Sequence, residues 1–162
     1  ANYAELKNNP HVLFMDERLV KSAKDSAMPA LGLETPKEQL VYFDILSPQE
    51  QELLLIDSMN QTENQRYTQA LKKWYIKGEL GGFRELQNTF KDKDPKIQAL
   101  DEKLFSSLLT ERNIRFLQRM HLILQEHPKK NYFFAIGAGH LAEENGLIEE
   151  LRKKGYQLKK VD

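Results

Sequence analysis

The chain has 162 residues and a formal net charge of zero, because 24 Lys and Arg residues balance 24 Asp and Glu residues. This length suits one domain, and a composition of 40% hydrophobic and 30% charged residues excludes both a disordered chain and a membrane protein. The neutral balance argues against a nucleic-acid-binding protein. The lack of cysteine excludes disulfides, thiolate metal sites and cysteine catalysis.

Neither a long apolar run nor the pattern of a signal peptide occurs in the sequence. The sequence therefore predicts no membrane span and leaves the compartment of the protein open.

Helical spacing of apolar residues comes first, over residues 9–24, and a short apolar run at residues 28–34 then predicts a buried strand. Thr-Pro-Lys-Glu at residues 35–38 combines an N-cap, a Pro in the first turn and the acidic residue of a capping box. Ser-Pro-Gln-Glu at residues 47–50 repeats this signal. The two signals predict a helix after each.

Further helical patterns run to residue 126, with a predicted break at Thr110, where a new helix would be capped. Residues 132–136 then give the strongest strand signal of the chain. A helix through Leu147 and Leu151 follows, closed by Gly155, and residues 156–161 alternate as in an edge strand.

This order predicts an α/β fold with a small, mainly parallel sheet. The sequence is interpreted as a single domain of residues 1–162 with a mainly helical insertion at residues 36–127. Three strands form a thin sheet for this much helix, so we expect residues upstream of the chain, or a partner, to complete it. An exposed edge of such a sheet is also a template for a homodimer.

Gly-Ala-Gly-His at residues 137–140 directly follows the predicted strand 132–136. Ligands of open parallel sheets bind at the carboxyl ends of the strands, which is where this pattern places His140. An imidazole there can bind a metal ion or transfer a proton. The plainer interpretation is a strand-to-helix turn in which His140 only caps the next helix.

Glu34 and Arg112 are the other candidates. Glu34 ends the predicted strand Ala30–Leu33, and the helix that leads into the strand near Tyr132 starts with Glu-Arg-Asn at residues 111–113. If the strands are parallel, both places lie on the same rim of the sheet as His140. Arg112 can hold a carboxylate or an oxyanion there. Alternatively, Glu34 belongs only to a helix entry and Arg112 to a solvated first turn.

Three segments, in this order, resemble the signatures of the TraB/GumN family, which includes the TIKI proteins. They are Gly-Leu-Glu-Thr-Pro-Lys-Glu-Gln-Leu at residues 32–40, Glu-Arg-Asn at residues 111–113, and Ala-Ile-Gly-Ala-Gly-His-Leu at residues 135–141. The similarity of the last segment continues to Gly155-Tyr156. Trp74, before Gly78, also looks like a family feature.

The resemblance implies a mixed α/β fold and, for the TIKI branch, a metal-dependent peptidase with two Gly-x-x-His motifs. His140 ends the second motif, and the first would lie upstream of residue 1. By this resemblance His140 and Glu34 would bind a divalent metal, Mn²⁺ or Zn²⁺, while Arg112 stabilises negative charge and Asn113 orients ligand or substrate. The expected partner is a peptide substrate. The alternative is a non-catalytic binding or regulatory domain, in which the same motifs serve folding.

Overall fold

The computed structural model describes residues 14–59, 61–78, 80–91, 94–142 and 144–161. In these ranges the chain forms helices joined by turns and extended segments, and it contains no β-strand. The α/β fold expected from the sequence, with its parallel sheet, is therefore wrong for the described residues. None of the described helices combines the length and the apolarity needed to cross a membrane.

The described helices are nine α-helices and one π-helical segment, which lies between α6 and α7. They are α1 (Met15–Asp25), α2 (Pro36–Leu40), α3 (Pro48–Ser58), α4 (Gln61–Lys77), α5 (Phe83–Thr89), α6 (Pro95–Phe105), the π segment (Ser106–Glu111), α7 (Arg112–Glu126), α8 (Ala138–Leu141) and α9 (Leu147–Lys153).

The chain divides into two units, one ending at Gly32 and the other beginning at Leu33. The described part of the first unit contains α1, which starts after Phe14 and buries none of its residues. Residues 9–13 of the predicted first helix lie outside the described ranges. All candidate site residues belong to the second unit.

The core of the second unit lies between α7 and α9. Its buried members are Phe116, Leu117 and Met120 of α7 with Leu147 and Leu151 of α9. Apolar residues at such spacings lie on one face of a helix, so α7 can bury that face while its other side stays polar. Partly buried side chains pack around this core: Leu33, Phe134, Ile136, Leu141 and Tyr156.

The segment predicted as the main strand is extended but unpaired. At residues 132–136 the side chains alternate between half-buried and exposed, and the rings of Tyr132 and Phe134 stack with their centroids 6.2 Å apart. Alternation indicates extended backbone, whereas a sheet also needs a second strand to accept and donate hydrogen bonds.

The half-buried side chains of this segment pack on helices instead of completing a sheet. Residues 30–33 and 156–161, the other predicted strands, form no strand either. The homodimer through a sheet edge stays a prediction. The described residues contain no sheet and therefore no such edge.

Both predicted capping boxes are confirmed. The Thr35 hydroxyl accepts a hydrogen bond from the Glu38 amide at 3.2 Å, and the Glu38 carboxylate accepts one from the Thr35 amide at 2.7 Å. Ser47 and Glu50 make the equivalent bonds at 3.3 and 2.7 Å. The first box starts α2 immediately after Glu34 and so fixes the direction in which the chain leaves that residue.

The predicted helix break at Thr110 is wrong. Helix α6 continues through the π segment into α7, and no side chain caps the start of α7. Ser107, within the π segment, is buried. A π turn contains more residues than an α turn and often occurs next to functional sites. Here it directly precedes Arg112 and Asn113.

Gly146 provides a test of the packing between α8 and α9. A Cβ atom at this position would lie 2.2 Å from the carbonyl oxygen of Ala142 and 2.5 Å from that of Leu141. Backbone atoms cannot yield as a flexible side chain does, so we expect Gly146→Ala to lower the free energy of unfolding by about 2 kcal/mol or more. Urea denaturation followed by circular dichroism measures this loss.

Gly81→Ala is the matched control, because a Cβ at Gly81 meets nothing within 4 Å. We expect Gly81→Ala to leave stability unchanged or slightly raised. Equal losses in the two variants would contradict the packing described for Gly146.

Candidate functional site

Glu34 and Arg112 form a bidentate ion pair. Arg112 Nε donates to Glu34 Oε2 at 3.2 Å, and Arg112 Nη2 donates to Glu34 Oε1. The two side chains are only 12% and 14% exposed, respectively. Arg112 Nη1 also donates to the carbonyl oxygen of Leu108, one turn earlier, at 3.1 Å. The guanidinium is therefore fixed on two sides, and the charge of Glu34 is neutralised where it is buried.

Asn113 and His140 form a second pair, in which the hydrogen-bond pattern fixes the imidazole tautomer. Asn113 Nδ2 donates to the carbonyl oxygens of His140 at 3.3 Å and Asn145 at 3.1 Å. Because carbonyl oxygens can only accept, the amide oxygen must face His140 Nδ1, which is 2.7 Å away. His140 Nδ1 therefore carries the proton, and its Nε2 carries the lone pair.

Phe116 joins the two pairs. Its ring centroid lies 5.2 Å from that of His140 and 5.4 Å from the guanidinium carbon of Arg112. Burial, helped by the positive charge of Arg112, lowers the pKa of His140 to about 4, while the charge of Glu34 acts in the opposite direction. The imidazole is therefore neutral at physiological pH, the form in which histidine binds metals and accepts protons.

A cavity of about 280 Å³ opens beside this cluster. Asn113 forms part of its wall, together with Gly139, which immediately precedes His140, and Ala142, two residues after it. Phe105, Leu109 and Thr110 line another part of it. The π segment thus contributes both to the cavity wall and to the placement of Arg112 and Asn113.

The structure brings all four predicted site residues into one cluster: Glu34, Arg112, Asn113 and His140. The plainer interpretation of Arg112, a solvated first turn, does not hold, since its side chain is mostly buried. Nor does His140 act as a cap, since it lies inside α8 and is 8% exposed. Glu34 directly precedes the N-cap of α2. Its side chain binds α7.

Sequence reasoning missed the residues next to this cluster. Arg119 binds Glu38 through two hydrogen bonds of 2.6 and 3.1 Å, and Arg115 Nη1 lies 3.8 Å from the same carboxylate. Arg112, Arg115 and Arg119 lie at positions i, i+3 and i+7 of α7, which share one helical face. The spacing of these three arginines, together with the i, i+4 spacing of Glu34 and Glu38, could have predicted that the two segments pair through their charges.

The described residues do not complete a metal site by themselves. Within the described ranges, no three His, Asp or Glu side chains gather in a way that could hold a metal ion. His140 has the chemistry of a ligand, since Asn113 holds its Nδ1–H and the lone pair lies on Nε2. Glu34 already accepts a hydrogen bond from Arg112 at each carboxylate oxygen.

Comparison with known proteins assigns the chain to a family. The model of the TraB/PrgY/gumN family matches residues 1–160. The chain belongs to this family. No solved structure matches it significantly.

Curated relatives of this family member are named metalloproteases. A Metalloprotease TIKI homolog from Nematostella vectensis is 36% identical over 66 residues, which cover 41% of this chain and 14% of that protein. Metalloprotease TIKI1 from Danio rerio is 41% identical and that from Homo sapiens 39% identical, each over 61 residues. These residues cover 38% of this chain and 12% of either relative, so the chain spans a small part of the length of the relatives it matches.

The ion pair of Glu34 and Arg112 can be tested by a double-mutant cycle. Removing one partner leaves a mostly buried charge unpaired, so we expect Glu34→Gln and Arg112→Met each to cost about 2–4 kcal/mol of unfolding free energy. The double variant should cost clearly less than the sum. Urea denaturation of the four proteins measures this coupling.

Glu149 and Arg152 form a matched control pair, because their side chains are 43% and 52% exposed. We expect Glu149→Gln and Arg152→Met to change stability by less than about 1 kcal/mol. Additive losses at Glu34 and Arg112 would show that the two side chains do not depend on each other.

Glu38 makes the stability of the protein depend on pH. Hydrogen bonds from Arg119 and from the Thr35 amide lower the pKa of Glu38 from 4.5 to about 2. Because the native state holds this proton less firmly than the unfolded state, the contribution is complete above about pH 4.5 and is lost as pH falls towards 2. As the pH is lowered from 6 to 2, the midpoint temperature of thermal unfolding should therefore fall more steeply for the natural protein than for Glu38→Gln.

Arg119→Met should give an intermediate slope, since it removes the guanidinium and keeps the bond from Thr35. Identical slopes for the natural protein and Glu38→Gln would contradict the role of this carboxylate.

Proposed function

We propose that this chain carries part of the active site of a metal-dependent hydrolase that cleaves peptides. His140, Asn113, Glu34 and Arg112 are the site residues, and His140 is the metal ligand that the described residues contribute. Family membership and the names of the curated relatives support a metalloprotease-like activity. The observation that carries the proposal is the buried, neutral imidazole, held by Asn113 at Nδ1 so that the lone pair lies on Nε2.

Asn113 acts on His140 as an orienting group. Because its amide is anchored to two backbone carbonyls, it presents a fixed acceptor to His140 Nδ1. Hydrogen bonds of this kind set the ring orientation and raise the basicity of the other nitrogen. A divalent metal held there would supply an activated water and a polarised carbonyl.

Arg112 and Glu34 supply opposite charges beside this imidazole. Each carboxylate oxygen has two lone pairs, so Glu34 retains acceptor capacity after receiving one hydrogen bond per oxygen from Arg112. It can therefore still accept a hydrogen bond from a water molecule or a substrate amide. Arg112 has two further N–H groups with which to bind a substrate oxygen.

A peptide suits the cavity beside the cluster. Its volume is near the lower limit for ligand sites, and its wall combines the apolar side chains of Phe105 and Leu109 with the polar groups of Thr110 and Asn113. Asn113 is the site residue that contributes to this wall, and we propose that the cavity receives one residue of an extended peptide. The alternative, a non-catalytic binding or regulatory domain, also uses the cavity and requires no metal.

Metal binding at His140 tests the proposal. In a calorimetric titration with Zn²⁺, we expect His140→Asn to weaken binding by about tenfold or more. The Asn amide can replace the Nδ1–H donor to Asn113, so this variant removes the Nε2 lone pair while retaining the internal hydrogen bond. With Mn²⁺, whose unpaired electrons broaden nearby signals, the imidazole resonances of His140 should broaden first. Equal affinity of the variant and the natural chain would overturn His140 as a ligand.

His121→Asn is the control for nonspecific binding by histidine. His121 Nδ1 is hydrogen-bonded to the hydroxyl of Tyr156 at 2.8 Å, away from the residues proposed here. We expect this variant to bind Zn²⁺ as the natural chain does. Cleavage of a quenched-fluorescent peptide mixture, lost on chelation and in His140→Asn, would distinguish the hydrolase from the binding domain, which binds the peptides without cleaving them.

A further inference from the structure

The segment that carries Glu34 is attached to α7 at two places. Glu34 binds Arg112, and four residues later Glu38 binds Arg119, two helical turns along α7. Residues 33–38 therefore lie along one face of α7. The first attachment involves a predicted site residue, and the second does not.

The guanidinium of Arg119 binds residues on both sides of Glu34 in the sequence. Its Nη1 donates to the carbonyl oxygen of Leu33 at 2.5 Å, immediately before Glu34. The same guanidinium donates to both carboxylate oxygens of Glu38, at 3.1 Å and 2.6 Å. One side chain thus binds the backbone on one side of Glu34 and the first turn of α2 on the other.

Glu38 connects Arg119 to Thr35, the residue that follows Glu34. Its carboxylate accepts hydrogen bonds from the Thr35 amide at 2.7 Å and from the Thr35 hydroxyl at 3.0 Å. The residues on both sides of Glu34 are therefore held through Arg119. Because the backbone around Glu34 is already held, forming the ion pair with Arg112 costs little conformational entropy beyond that of the Glu34 side chain.

We propose that Arg119 is a positioning residue that fixes Glu34 against Arg112. The importance of this role for activity rests on the function proposed above, in which Glu34 is a site residue. An arginine suits this position because its rigid fork binds a carbonyl and a carboxylate at once, whereas the single ammonium of a lysine behaves as a point charge. Active sites lose function when a supporting residue lets a side chain move by about 1 Å.

Arg115 offers a matched control. It lies on the same face of α7, with Nη1 3.8 Å from the Glu38 carboxylate and its guanidinium carbon 5.5 Å from the centroid of the Tyr42 ring. Its side chain makes no hydrogen bond to the Leu33 carbonyl, which accepts from Arg119. Replacing Arg115 therefore removes the same charge near Glu38 without releasing the backbone at Leu33.

The Nε–H resonance of Arg112 in ¹H–¹⁵N NMR spectra of the metal-free chain provides the test. This hydrogen is bound to Glu34, so its chemical shift and exchange with water report directly on the pair. We expect Arg119→Met and Arg119→Lys to shift the resonance and to speed its exchange by about tenfold, and Arg115→Met to leave both unchanged. A purely structural role would lower thermal stability without this selective change.

An unchanged Arg112 resonance in a folded Arg119→Met protein would overturn the proposal. If Arg119→Met does not fold, Arg119→Lys gives the same test, since it keeps the positive charge beside Glu38 and removes the guanidinium that holds Leu33 and Glu38 together. No metal is present in this experiment, so its result is independent of the Zn²⁺ titration. A loosened pair, together with equal Zn²⁺ affinity of His140→Asn and the natural chain, would support Arg119 as a positioning residue and overturn His140 as a ligand alone.

Discussion

The arrangement of the candidate site depends on one mostly buried ion pair, which joins Glu34 and Arg112 across 78 positions of sequence. Burying a charge costs free energy because the charge loses its hydration. Here the guanidinium of Arg112 and the carboxylate of Glu34 each offset the cost of burying the other. The Leu108 carbonyl and the Phe116 ring add contacts to Arg112. Since Phe116 also contacts His140, the ion pair, the imidazole and the core of the second unit form one continuous packed group.

Local signals in the sequence were reliable. The capping boxes at Thr35 and Ser47 depend on residues three positions apart, so the sequence contains all of their partners. The proximity of Glu34, Arg112 and His140 was also predicted, but for the wrong reason. A shared rim of a parallel sheet was expected to bring them together, whereas residues 33–38 in fact lie along α7.

The remaining features depend on contacts between distant residues, which single-sequence patterns do not specify. An alternating pattern at residues 132–136 indicates an extended backbone with one buried face, and helices cover that face as well as a sheet would. The bond from Asn113 to His140 and the attachment of Leu33 to Arg119 span 27 and 86 positions. They become visible only when the path of the chain is known.

The π segment has a consequence for how this site can vary among related proteins. Each residue added to or removed from a helix turns everything after it by about 100° relative to what comes before. The wide turn at Ser106–Glu111 therefore sets the rotational phase of Arg112 and Asn113 relative to α6. A homologue that lost one residue here would turn Asn113 relative to Phe105, with which it lines the cavity, even with every site residue retained. An alignment gap at this position therefore reshapes the cavity wall even where the motifs are intact.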